Sequence, residues 1–218
     1  MAITTIIPTI TETIPAEYKA RVAALYQISD HMRVHVDISD GSLTSNTTIS
    51  ETAVWWPKGW TVDIHMITAE PAKHIDNLIK LHPNLVVLHA EARDDLLPLF
   101  EKLKQSGIKV GVAIVKSVYP GSIKAILNAA DHALIFSGTL GKQGGTADLL
   151  LGEKAALIQD IHAGIEIGWD GGANIKNVRQ IAHVGVTAIN VGSGLSMADD
   201  PAQMYAELNK EIEKEDPI

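Results

Sequence analysis

The stretch TVDIHMITAEPAKHIDNLIKLHPNLVVLH, residues 61–89, decides the fold. It opens on a short run rich in β-branched residues (61–67), continues through an amphipathic segment that begins with Pro71 (71–81), and ends in a second short apolar run (85–89). A strand, a helix and another strand within 30 residues or so make one βαβ unit, and such units build parallel sheets. The same rhythm recurs along the whole chain. Strands are expected at 3–8, 33–37, 61–67, 85–89, 109–115, 133–136, 165–169 and 188–191. Helical periodicity falls between them at 15–27, 71–81, 94–106, 122–130, 149–162, 175–184 and 201–214, several segments opening with Pro or a polar capping residue. Eight strands and seven clear helices in 218 residues predict a (β/α)8 TIM barrel, a single domain over 1–218. The weak unit is the second, whose connection 39–60 is rich in Thr, Ser and Trp and carries Pro57 and Gly59, so any helix there is short. The competing open, doubly wound sheet would want a Gly-rich turn after the first strand, and 9–15 has none.

Composition narrows the function classes. Lys and Arg number 18 against 26 Asp and Glu, a net charge of −8, which argues against a nucleic-acid partner that needs a basic footprint. The absence of Cys removes disulfides, thiolate nucleophiles and Cys-ligated zinc, leaving nine His and the carboxylates as metal ligands. No apolar run approaches a membrane span and the first 15 residues lack the layout of a signal peptide, so a cytoplasmic protein without a membrane partner is expected.

In a (β/α)8 barrel the chemistry sits at the C-terminal ends of the strands. The second strand ends in His35-Val36-Asp37, and alternation turns His35 and Asp37 to the same side. The third carries Asp63-Ile64-His65, with His65 near its end and Asp63 one layer deeper, where it is expected to orient a ligand His or a backbone group. The seventh ends in Gly168-Trp169-Asp170-Gly171-Gly172. Two His and two Asp from three strand ends suit one divalent ion, zinc first, with manganese, iron or cobalt as alternatives. His89-Ala90-Glu91-Ala92 closes the fourth strand with two polar residues on one face, and the remaining histidines, His31, His74, His82, His132, His162 and His183, are expected on the surface in loops or helices. Glycines cluster after strands six (Gly141-Lys142-Gln143-Gly144-Gly145), seven (Gly171-Gly172) and eight (Gly192-Ser193-Gly194), where free backbone amides can cradle a phosphate.

These segments, HVDISDG (35–41), DIHM (63–66) with Pro71 following, HAEA (89–92), the Gly-rich 141–145, WDGG (169–172) and VGSG (191–194), resemble the ribulose-phosphate 3-epimerase family, in its order and spacing over nearly the whole chain. The resemblance implies one catalytic divalent metal on His35, Asp37, His65 and Asp170. It further implies Asp37 and Asp170 as an acid/base pair, and phosphate held by amides at Gly144, Gly145, Gly171, Gly172, Gly192 and Ser193. The partner so implied is a small sugar phosphate, and a homo-oligomer is expected.

The family places Met around the reacting centre; here the matching positions are Ser39, Ile67 and Phe136, and PTIT (8–11) stands where a PSIL-like run is usual, putting a polar Thr11 beside the pocket residue Thr9. The resemblance implies metal-dependent 3-epimerisation of a ketose phosphate, ribulose 5-phosphate to xylulose 5-phosphate or a related sugar, by two-base proton transfer through an ene-diolate, and the changed pocket points within that class to another ketose phosphate such as a ketohexose 6-phosphate. Two other classes compete. A phosphosugar lyase or decarboxylase would carry a D-x-K-x-x-D pattern, but from Asp37 the chain reads DISDGS without Lys. A sugar-phosphate sensor without turnover would need the glycines but not two opposed carboxylates.

Overall fold

Eight parallel strands, hydrogen-bonded in chain order and with the last returning to the first, close a barrel in the computed structural model, which describes residues 3–138, 140 and 144–214. They are β1 (Thr5–Ile10), β2 (Arg33–Ser39), β3 (Thr61–Ile67), β4 (Leu85–His89), β5 (Lys109–Ile114), β6 (His132–Phe136), β7 (Glu166–Asp170) and β8 (Ala188–Val191). The helices outside are α1 (Pro15–Ile28), α2 (Ile75–Leu81), α3 (Leu96–Gln105), α4 (Lys124–Ala129), α5 (Glu153–Ile161), α6 (Val178–His183), the single turn α7 (Ser193–Ser196) and α8 (Pro201–Ile212). Local chemistry starts several of them. Pro15 and Pro201 supply the preset φ of a first turn, while the Asp95 and Asp200 carboxylates accept from free amides of α3 and α8.

Strand alternation builds two cores. Outward side chains such as Val36, Ile64, Met66, Val112 and Trp169 pack under the helices with no more than 1% exposure. Inward ones form a smaller apolar plug of Leu85, Val87, Ala113 and Leu134. Below that plug, at the strand starts, Arg33 makes a two-pronged pair with Glu166 (2.7 Å on each prong) and bonds Asp63 (2.6 Å), while His132 meets Glu166 at 2.7 Å. The barrel is therefore closed at its floor by charge pairing, and its mouth is left for chemistry. Gly168 leaves room for the floor, since a Cβ there would lie 2.4 Å from His132 Nε2.

Two expectations need correction. β1 runs to Ile10 rather than ending at Pro8, because it pairs with β8 through Pro8 and with β2 from Thr9, so the residue without an N–H stands at the handover between neighbours. Helix α6 is shorter than the pattern over 175–184, since Asn174 and Asn177 fold a side-chain-bonded turn at its start. Between β2 and β3 there is no helix among the described residues. The connection is instead tied down piecewise: Thr48 Oγ1 donates to Asp37 O (2.7 Å), Ile49 N to Glu12 O (2.9 Å) and Tyr18 Oη to Trp55 O (2.7 Å). No helix is long and apolar enough to cross a membrane among the described residues.

Candidate active site

The β2–β3 register puts Asp37 directly beside His65, with His35 two residues below Asp37 on the same inner face. Asp170, the last residue of β7, reaches in from the other side. Asp37 Oδ1 lies 3.1 Å from His35 Nε2 and 3.0 Å from His65 Nδ1, and Asp170 Oδ2 lies 3.5 and 3.7 Å from the same two nitrogens. One ligand atom from each of the four lies within 4.8 Å of the others, so the set could hold one metal ion. Asp170 Oδ2 is buried with no hydrogen-bond partner, a costly state for a carboxylate oxygen and one that a cation would relieve. Two carboxylates and two imidazoles are the donor mixture that zinc and its neighbours accept, so these residues fit such an ion.

The electrostatics separate the two acids. In the metal-free protein burial would raise Asp37, but the flanking imidazoles, His35 first, outweigh it and hold the group far below the usual carboxylate range. Burial and the Asp37 charge push Asp170 up. Burial brings His65 down to about 4, leaving it neutral and able to act as a ligand.

Above the cluster opens a cavity of about 500 Å³. Thr9, Ser39, Ile67 and Phe136 all line it, as do Gly144, Gly171, Gly172, Gly192 and Ser193. Gly145 is exposed and does not; Gly141, Lys142 and Gln143 lie outside the described residues. Ser39 is not a free pocket hydroxyl, because its Oγ donates to Asn46 O at 2.9 Å. Thr9 and Thr11 differ: both residues line the cavity, and their hydroxyls are buried and lack partners. Phe136 sits with its ring centroid 5.9 Å from that of His65. The glycines after β7 are needed by the loops themselves. At Gly171 (φ +107°) a Cβ would stand 2.1 Å from Gly138 N, and at Gly172 (φ +72°) 2.2 Å from Ala147 N.

Asp63 does not orient a ligand His. It sits one layer deeper, where the Arg33 guanidinium and the Asn84 amide (2.7 Å) claim its two oxygens. His132 is not on the surface but heads β6, 4% exposed, on the floor. His74 is half-buried and reaches Glu51 at 3.0 Å, fastening the connection after β2. Two contributors were missed. Asn190 lies 3.1 Å from His35 Nδ1, and its signal was a polar residue at an inward position of β8. The cavity wall made by Ser45, Asn46, Thr47 and Thr48 comes from an irregular loop and carried no periodic signal.

The chain matches the model of the ribulose-phosphate 3 epimerase family over residues 5–196. Among curated relatives it is 28% identical over 186 residues to ribulose-phosphate 3-epimerase of Mycobacterium bovis, covering 82% of this chain and 81% of that one. It is 24% identical over 193 residues to the Helicobacter pylori protein of the same name (85% and 88% covered) and 23% over 187 residues to that of Schizosaccharomyces pombe (83% and 82%). Among solved structures it resembles 3-hexulose-6-phosphate synthase from Salmonella typhimurium, with a TM-score of 0.69 at 15% identity (97% and 98% covered). Phosphoribosyl anthranilate isomerase from Thermus thermophilus gives 0.64 at 12% identity (95% and 98%). At such identities these two likenesses concern the fold alone.

Proposed function

The chain belongs to the ribulose-phosphate 3 epimerase family, and from that premise we propose that it is a metal-assisted 3-epimerase of a ketose phosphate, with Asp37 and Asp170 as the two proton-transfer groups. The observation that carries this reading is the pair of carboxylates reaching one buried cluster from β2 and β7, on either side of the two imidazoles. Inverting the carbon next to a ketone removes a proton from one face and returns one to the other, and an opposed base and acid do both without moving the sugar. A divalent ion held by His35, Asp37, His65 and Asp170 would supply positive charge that stabilises the ene-diolate. Amides of the loops after β6, β7 and β8, around Gly144, Gly171, Gly172, Gly192 and Ser193, hold the phosphate and so fix the reacting carbon relative to the acids.

The side of the cavity formed by β1 supports a substrate richer in hydroxyls than ribulose 5-phosphate. Thr9 and Thr11 carry two buried, unpartnered hydroxyls beside it, and Ile67 and Phe136 also line the cavity. A ketohexose 6-phosphate offers the additional hydroxyl. Metal content and kinetics test the two parts. Protein purified without chelator should carry about one equivalent of divalent ion per chain, lost in His35→Ala, and kcat/KM should favour a hexulose phosphate; a metal-free, fully active wild type would overturn the metal role, and a clear preference for ribulose 5-phosphate the substrate assignment.

A further inference from the structure

We infer that His89 and Glu91 are positioning residues that fix the tautomer of His65 so that its bare Nδ1 faces the two carboxylates; this rests on the metal-site reading above. His65 points its nitrogens in opposite directions. Nδ1 faces Asp37 Oδ1 at 3.0 Å, while Nε2 faces His89 Nε2 at 2.8 Å. His89 is fully buried at the end of β4, and its own Nδ1 lies 3.3 Å from Glu91 Oε2. Asp37, His65, His89 and Glu91 thus form one line from the cluster toward solvent, where the Glu91 side chain is 28% exposed.

Counting hydrogens along that line decides its direction. Two imidazole nitrogens 2.8 Å apart share a single hydrogen, and an ionised carboxylate can only accept. Where His89 carries one ring hydrogen, Glu91 therefore places it on Nδ1 and leaves Nε2 bare. The hydrogen between the rings must then come from His65 Nε2, which leaves His65 Nδ1 with an open lone pair. The reverse assignment puts a hydrogen on His65 Nδ1 toward Asp37, shifts the shared one to His89, and turns the bare His89 Nδ1 against the Glu91 carboxylate. With one hydrogen on each ring, only the first assignment satisfies both contacts beyond Asp37. It also gathers a bare imidazole nitrogen and two carboxylates around one point, which is favourable only when a cation stands among them.

Zinc affinity, measured by chelator competition, tests this without reference to turnover. Losing an outer partner of a ligand His commonly lowers metal affinity about ten- to a hundredfold, and that loss is expected in His89→Leu. His89→Gln, whose amide oxygen can accept where Nε2 did, should recover most of it, and Glu91→Ala should lose about tenfold. Ring-nitrogen NMR shifts of the zinc-loaded wild type should show the His89 hydrogen on Nδ1. Thermal unfolding of the metal-free variants separates loss of fold from loss of metal; if His89→Leu does not fold, Glu91→Ala at its partly exposed position decides. Wild-type zinc affinity in the folded variants, or a His89 hydrogen on Nε2, overturns the relay alone. A wild type that takes up no zinc overturns the metal site and the relay with it.

Discussion

Replacing Thr11 by Val should make the protein more stable and a poorer enzyme. The Thr11 hydroxyl is buried at the cavity and has no partner, and a hydroxyl in that state costs about 1–3 kcal/mol. Val keeps the shape and removes the polar atom. Relief of about 1 kcal/mol corresponds, in a domain of this length, to a rise of roughly 2–4 °C in melting temperature. If the hydroxyl meets a sugar hydroxyl during turnover, the same change removes a hydrogen bond of about 1–1.5 kcal/mol, close to tenfold in kcat/KM. Thermal unfolding of the substrate-free protein and kcat/KM on pentulose and hexulose phosphates read the two effects separately. The loss should fall on the hexulose phosphate and spare ribulose 5-phosphate. A lower melting temperature, or an equal change on both sugars, would refute the reasoning.

Substituting either Asp37 or Asp170 by Asn should slow turnover on the order of 10²-fold or more, and near-wild-type rates in both would remove them from the reaction. Gly192→Ala should fold, because its nearest neighbour would be Thr9 Cβ at 3.7 Å, yet raise KM for sugar phosphates roughly tenfold by crowding the anion. Gly171→Ala, whose Cβ meets backbone at 2.1 Å, should instead cost about 3 kcal/mol or more of stability, read by urea unfolding. Burial would raise Glu166, but Arg33 and His132 hold it far below the usual carboxylate range, so its folded-state value is depressed. Its contribution is therefore present above the ordinary value of 4.5 and lost as pH falls toward the folded value, so the stability gap between wild type and Glu166→Gln should narrow on acidification below that point.

The barrel was legible because its signal is periodic: each strand is a short apolar run and each helix an amphipathic one, and the order of units fixes the order of strands. Alternation likewise placed His35 and Asp37 on one face, and the register added what alternation cannot, that Asp37 stands beside His65. What the sequence hid depends on neighbours distant along the chain. Asp63 reads like the partner of a ligand His until Arg33 and Asn84 are found on its oxygens, and His132 reads as a surface residue until Glu166, 34 positions later, meets it at the floor. The relay through His89 shows the same limit. Its two polar residues stand out in the sequence, but their meaning comes from the 2.8 Å contact with a ring on the adjacent strand.

The central claim is proton exchange at the carbon beside a ketone, carried out by the β2 and β7 carboxylates. It is tested most directly by NMR in deuterium oxide, following ribulose 5-phosphate and a ketohexose 6-phosphate with the zinc-loaded protein. With at least one of these sugars, deuterium should enter at carbon 3 as the 3-epimer appears, and both signals should vanish in Asp37→Asn and Asp170→Asn. A wild type that incorporates no deuterium into either sugar, or that does so equally well in both variants, would contradict the account.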